Sequence, residues 1–324
     1  MMSANMRVGL LIGLVGLVGL MWVAAFASKQ QEKAAAGVAA LDPRVFESLT
    51  VVAAGTGGTF ENHWRRGPAL VVGTGTDALL VDAGRSVTEA LRAAAIPLDQ
   101  PRSVLLSSLS AANVLGLDDL WLDAWLHAPD RPLRVYGPPG TAALVQGLKR
   151  AHAVDAAALS DSWAPPAASG EIVVVELAGG EQFEVGAMQV RCAAIAGAAT
   201  PALAWRIEAG DRAIAVAVAG TDTDAIARLA QGAHVLAVGG IYDASLALAA
   251  EAGIEGIDVL RREAAQHLRL EDLGELATRA GVRSVLLTRL RPPPVFEFQY
   301  ENLVGETYRL GPVFVAEDGE AFTP

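Results

Sequence analysis

The sequence predicts an α/β fold: two mixed β-sheets packed together, helices on the outside, and a transmembrane helix at the N-terminus. Three observations carry this expectation. The chain opens on an uncharged apolar run, Val8 to Ala27. Beyond it, short strand-like runs separated by tight turns give way to helical segments, and this succession occurs in both halves, as expected for two sheets sharing one core. Finally, the Gly-rich turn Gly55-Thr56-Gly57-Gly58 is not followed by a helical pattern, so a single Rossmann unit fits worse.

Taken in order, residues 1–7 form a short tail and residues 8–27 a span. At about 1.5 Å per helical residue, the run reaches roughly 30 Å, the thickness of a bilayer core. Arg7 precedes it and Trp22 lies near its far end, where an indole suits the interface. Ala25-Phe26-Ala27 is also an A-x-A site, so a cleavable signal peptide is the rival reading. The run is longer than the usual signal core, which favours an uncleaved anchor. Either way the rest of the chain is exported, to the outer face of the cytoplasmic (inner) membrane, in the periplasm or outside the cell. Residues 28–46 are polar and Ala-rich and read as a stalk. Residues 47–324 form the folded domain.

In that domain, Leu49–Ala54, Ala69–Val72 and Ala78–Val81 read as strands bounded by Gly-rich turns. Ser86 with Glu89 forms a capping-box pattern opening a helix to Ala95. Ser103–Leu106 reads as a buried strand, Leu117–His127 as a helix, Leu133–Tyr136 as a strand and Thr141–Ala151 as a helix. A loop around Trp163 to Gly170 ends the first half. The second half offers strands at Ile172–Leu177, Phe183–Val185, Met188–Ala194, Ala202–Ile207 and Ala213–Val218. Helix Asp224–Ala230, strand Val235–Val238, helix Leu270–Ala280 and strand Val285–Thr288 follow. Phe296-Glu297-Phe298-Gln299-Tyr300 is aromatic and β-prone, and reads as an edge strand that could dock a partner.

Charge narrows the function. Net charge is −11 and lysine is confined to Lys29, Lys33 and Lys149, so the positive footprint needed for nucleic acid is missing. The single cysteine, Cys192, excludes an intrachain disulfide and a thiolate cluster, and reads as a small core residue. The acidic pairs Asp118-Asp119 and Asp222/Asp224 stand at helix starts, where capping explains them.

Several motifs in series then resemble one family. Val51 to Gly58, Arg66-Gly67-Pro68-Ala69 and Leu80-Val81-Asp82-Ala83-Gly84 are similar to the opening of metallo-β-lactamase-fold hydrolases. Tyr136-Gly137-Pro138-Pro139-Gly140-Thr141 and Pro201-Ala202-Leu203-Ala204-Trp205-Arg206 resemble the "YGPPGT" and "PAFGYR" motifs of the ribonuclease Z and arylsulfatase-like branch. The stretch from His267 to Thr288 resembles its late helix and strand. The resemblance runs from about Leu49 to Pro294 and implies the αββα sandwich, with a zinc pair supporting phosphodiester or sulfate ester hydrolysis.

The resemblance also implies where the metal ligands should stand, and this chain departs there. The "THLHSDH" motif falls on Ser107 to Asn113, with Ser108, Ser110 and Asn113 at the His positions and Ala112 at the Asp position. A later His falls on Ala196, the bridging Asp on Ala219 and the last His on Arg289. Hydroxyls and an amide bind zinc poorly, and a guanidinium repels a dication. The expected reading is therefore a degenerate, metal-free pseudoenzyme, without zinc or another cofactor. It acts by binding a small molecule, an active paralogue or a second copy of itself, and no nucleic acid.

What remains in the vestigial cleft is Asp82, placed beneath the family's metal site and able to pair with Arg289, and His267, at a position near the cleft. Ordinary roles, a turn carboxylate and a surface imidazole, compete with these. The other histidines, His63, His127, His152 and His234, have no metal-ligand spacing. The alternative to a pseudoenzyme is a hydrolase working through Ser108 or Ser110 with His267 as base and Asp82 orienting it, or through a rebuilt metal site.

Overall fold

The computed structural model describes residues 4–38, 41–58, 64–128, 130–162, 170–253 and 257–324. Trp163 to Ser169, in the loop read after the first half, and His63 lie outside them. The chain divides into two compact units, Met1–Asp42 and Pro43–Pro324. The first is one long helix, α1 (Ala4–Val38). Within it, Gly13–Glu32 is long and apolar enough to cross a membrane, with a mean hydropathy of 1.3. Arg44 already belongs to the second unit, where its guanidinium donates to the Ala94 carbonyl at 2.8 Å.

The second unit is an αββα sandwich. Its first sheet comprises β1 (Phe46–Gly55), β2 (Ala69–Gly75), β3 (Asp77–Val81), β4 (Ser103–Leu105), β5 (Leu133–Gly137) and β6 (Ile172–Glu176). The second comprises β7 (Gln182–Val185), β8 (Met188–Ala194), β9 (Leu203–Ala209), β10 (Arg212–Ala217), β11 (Val235–Ile241), β12 (Ser284–Arg291) and β13 (Val313–Val315). The last strand, β14 (Glu320–Phe322), returns to pair with β1 on the first sheet.

Both sheets follow one plan. β1 to β3 are antiparallel, and β3 to β6 run parallel. β7 to β10 are antiparallel, and β10 to β13 run parallel. Parallel neighbours need long crossovers, and helices supply most of them. These are α2 (Val87–Ala93), α3 (Ala111–Val114), α4 (Leu117–His127), α5 (Thr141–Ala151) and α6 (Ala153–Ser162) in the first half. In the second they are α7 (Thr223–Ala230), α8 (Asp243–Glu251), α9 (Ile257–Ala264), α10 (Leu273–Ala280) and α11 (Glu297–Gly305). Strand alternation explains the layering: Val51, Leu70, Leu79 and Val81 face Trp205, Ile214 and Val216 between the sheets, while Val52, Val71 and Leu80 face α2 and α4.

Several expectations are corrected. Ser86 is not a capping residue: its φ is +59° and its side chain makes no cap bond, because the turn after β3 drives it left-handed. Asp222 does cap α7, accepting from Ala225 N–H at 2.9 Å. Asp118 and Asp119 lie in the first turn of α4 as read, Asp118 Oδ1 accepting the Asp119 N–H at 3.0 Å, and they also make tertiary contacts, Asp118 to His152 at 2.7 Å and Asp119 to Thr88 at 2.7 Å. Phe296 to Tyr300 is not an edge strand; α11 starts there, with Tyr300 and Val304 buried.

Candidate functional site

The site lies where strands of both sheets end. In open α/β sheets the carboxyl ends of parallel strands leave a crevice, and here two such edges meet. The backbone joins them directly: Leu203 N–H, on β9, donates to the Ser107 carbonyl beyond β4 at 2.8 Å, and Ser108 bridges Ala202.

Asp82 follows β3 and is fully buried, with φ +63°. Arg289, on β12, is 8% exposed and has φ +53°. A left-handed arginine costs about 1–3 kcal/mol and persists only where its surroundings over-determine it. They do so here. Arg289 N–H donates to the Thr56 carbonyl at 2.9 Å. One terminal nitrogen of its guanidinium donates to Asp82 Oδ2 and the other to Asn113 Oδ1, the latter at 3.0 Å. Asp82 Oδ1 also accepts the Ser107 N–H at 2.7 Å. Burial pushes the Asp82 carboxyl above its usual range, while the Arg289 charge and the Ser107 N–H hold it back.

The chain of contacts continues outward. Asn113 Nδ2 donates to Ser108 Oγ at 3.0 Å, and Ser108 Oγ donates to Ser110 Oγ at 3.1 Å. Helix α3 is fixed to the turn after β3 by Ala83 N–H to the Asn113 carbonyl at 2.8 Å. Gly116 N–H to the Ala83 carbonyl, at 2.9 Å, adds a second tie. Gly116 must be glycine, because a Cβ there would meet the Gly84 carbonyl oxygen at 2.2 Å.

A cavity of about 130 Å³ opens over this network, lined by Ser108, Ser110, Asn113, Arg289, His267 and Arg291 among others. All six sequence candidates therefore gather at one place, five lining the cavity and Asp82 beneath it. Ser108 is buried and Ser110 exposed. The Asn113 amide and the Ser110 hydroxyl, which contact Ser108 Oγ, cannot take a proton as a base does.

The fold has counterparts among known proteins. No family model matches the chain. Ribonuclease Z of Mycobacterium sp. (strain KMS) is 29% identical over 252 residues, covering 76% of this chain and 85% of that protein. Ribonuclease Z of Mycobacterium bovis (strain BCG / Pasteur 1173P2) is 27% identical, covering 75% and 86%. Among solved structures, the metallo-β-lactamase-fold protein YhfI from Bacillus subtilis superposes with a TM-score of 0.65 at 17% identity, covering 85% of this chain and 98% of YhfI. Human tRNase Z, short form, gives 0.62 at 17% identity, with the same coverage. The chain has the metallo-β-lactamase fold.

The resemblance to metallo-β-lactamase-fold hydrolases implies zinc at this cleft, so its donors can be tested against zinc. The cavity shows hydroxyls from Ser108 and Ser110, the Asn113 amide, a single imidazole from His267, methyl groups from Ala112 and Ala219, and the Arg289 and Arg291 guanidiniums. Asp82, the carboxylate beneath the cavity, is engaged by Arg289. Among the described residues no group of three His, Cys, Asp or Glu side chains could hold a metal ion. This donor set does not fit a zinc pair: it offers a fixed cation where two dications would need anionic ligands.

Two participants escaped the sequence reading. Arg291 lines the cavity and lies over Gly58, where a Cβ would meet its Nε at 2.8 Å; its only signal was standing two positions beyond Arg289. Asp318, near the C-terminus, accepts from Thr56 N–H at 2.8 Å and Arg66 N–H at 2.6 Å, bracing the Gly-rich turn. No local pattern announces a contact across 262 residues.

Proposed function

We propose that this protein is a membrane-anchored, metal-free pseudoenzyme of the metallo-β-lactamase superfamily, acting outside the cytoplasm by binding. The observation that carries the reading is Arg289. At the position where the resemblance implies the family's last His ligand, a guanidinium takes Asp82 and Asn113 as partners and brings permanent positive charge to the cleft. A hydrolytic metal site needs the reverse, anionic or imidazole ligands around an open coordination position. The serine-based alternative is less favoured: His267 shares the cavity with Ser108, but Ser108 Oγ is held by an amide and a second hydroxyl. Anchoring rests on the apolar helix with Arg7 ahead of it.

The test is hydrolysis of a phosphodiester and a sulfate ester, bis(p-nitrophenyl) phosphate and p-nitrophenyl sulfate, by full-length protein in detergent with zinc, manganese or iron(II). The expected rates equal those of protein-free buffer. Turnover abolished by EDTA would restore a metalloenzyme, and turnover abolished only by Ser108→Ala would establish serine catalysis.

A further inference from the structure

A second concavity, sharing no lining residue with the cleft, runs past the start of α11 as an open groove of about 860 Å³. Its lining includes Trp64, Val295, Phe296 and Phe298, which are 80%, 83%, 56% and 56% exposed. Single exposed hydrophobics are ordinary, but several gathered along one groove mark a surface that a partner covers. The Phe296 and Phe298 rings stand with centroids 5.7 Å apart and form one aromatic wall. The helix behind that wall is fixed, because Tyr300 is buried and its hydroxyl donates to the Pro292 carbonyl at 2.9 Å.

Charge along the same groove identifies the occupant. Glu297, Glu301, Glu317 and Asp318 line it, against Arg65 as the one cation among the described lining residues. Arg65 lies 3.7 Å from Glu297, and Arg66, outside the lining, lies 3.8 Å from Asp318. Setting each cation against its carboxylate leaves Glu301 and Glu317 in excess. The acids are also crowded. Glu301 follows Glu297 by one turn on the same face of α11. Burial and the neighbouring Glu317 carboxyl push Glu297 above its usual range, while Arg65 holds it back. A cation delivered beside the aromatic wall relieves this crowding. A second copy would instead bring the same carboxylates face to face, and an anionic lipid surface would be repelled.

We infer that this groove docks a partner protein through an arginine-bearing apolar segment, aliphatic side chains on Val295, Phe296 and Phe298 and guanidiniums against Glu301 and Glu317. Arginine suits both halves of the surface, since its planar guanidinium pairs with carboxylates and stacks on aromatic faces. The inference deepens the proposed binding role by naming a partner class. Its failure would leave the metal-free reading standing, because metal content is measured on the other lining.

The test is fluorescence anisotropy on full-length protein in non-ionic detergent, with empty micelles as the blank. The probes are two fluorescein-labelled peptides, Leu-Arg-Pro-Leu-Arg-Leu and its counterpart with glutamate in place of both arginines. Saturable binding of the arginine peptide is expected, with none for the glutamate peptide. Glu301→Gln/Glu317→Gln keeps the shape of the rim and should weaken binding at least about threefold, as two exposed ion pairs are lost. Phe296→Ser/Phe298→Ser should weaken it as well while leaving Tm within a few degrees, since both rings are exposed. No saturable binding, equal binding of the two peptides, or variants that bind like the parent would each overturn the inference. A dimer in detergent that Phe298→Asp dissociates would assign the groove to a second copy and overturn it too. So would quenching of Trp64 by brominated phosphatidylcholine after reconstitution, read as the difference between parent and Trp64→Phe, which would assign it to lipid.

Discussion

At the scale of single residues, Asp82 and Arg289 organise the site, and both sit in left-handed backbone on opposite sheets. The pair could be anticipated from sequence, since a carboxylate in an apolar run needs a partner, and the family resemblance implied a ligand position at Arg289. Arg291 could not be anticipated, because its role depends on how the end of β12 passes Gly58. Removing one member of a buried ion pair strands the other, so Asp82→Ala or Arg289→Ala should lower stability by about 3–5 kcal/mol. The double variant Asp82→Leu/Arg289→Met should lose much less. Urea unfolding of the four proteins checks this; losses that simply add would mean the two charges are not coupled.

Elements were legible where local signals and packing agree. The α4, α5 and β8 boundaries follow from a turn, the Gly140 start and strand alternation, and they fall at Leu117–His127, Thr141–Ala151 and Met188–Ala194 as read. The helices α8 and α9 escaped because α8 is an Ala-rich run without one apolar face and α9 is a short, largely charged helix. The β-prone residues of α11 misled, since burial of Tyr300 and Val304 overrides propensity. Gly116 shows what an element boundary can require. Gly116→Ala would push Cβ into the Gly84 carbonyl and shift α3, costing about 1–3 kcal/mol by overpacking and moving Asn113 from Arg289; a thermal shift with unchanged Tm would contradict this. In the β7–β8 region, Glu181 accepts the Ala178 N–H at 2.9 Å and the Cys192 thiol, which hold its carboxyl down to about 2. A depressed acid contributes stability above its unfolded value, and that contribution fades as pH falls from about 4.5 toward 2. Glu181→Gln should flatten the acid limb of stability against pH, and an identical limb in the variant would refute the assignment.

For the whole molecule, the two-sheet plan was readable because hairpins and helices recur twice in sequence, and the sheets repeat one succession of antiparallel then parallel strands. What sequence could not supply was the return of β14 to β1, a three-residue strand that exists through its pairing. The N-terminal helix makes its own prediction. Full-length protein should remain with membranes after alkaline carbonate washing and dissolve only in detergent; a soluble product beginning at Ser28 would identify a cleaved signal instead. The central claim is that Arg289 and its partners have replaced metal at the heart of a metallo-β-lactamase sandwich. Elemental analysis of full-length protein for zinc, iron and manganese, after incubation with each metal and gel filtration, tests it most directly. Less than about a tenth of an equivalent is the expected result for a donor set of hydroxyls, an amide, one imidazole and guanidiniums. One or two equivalents, lost on His267→Ala or Asn113→Ala, would show a rebuilt metal centre and contradict the account.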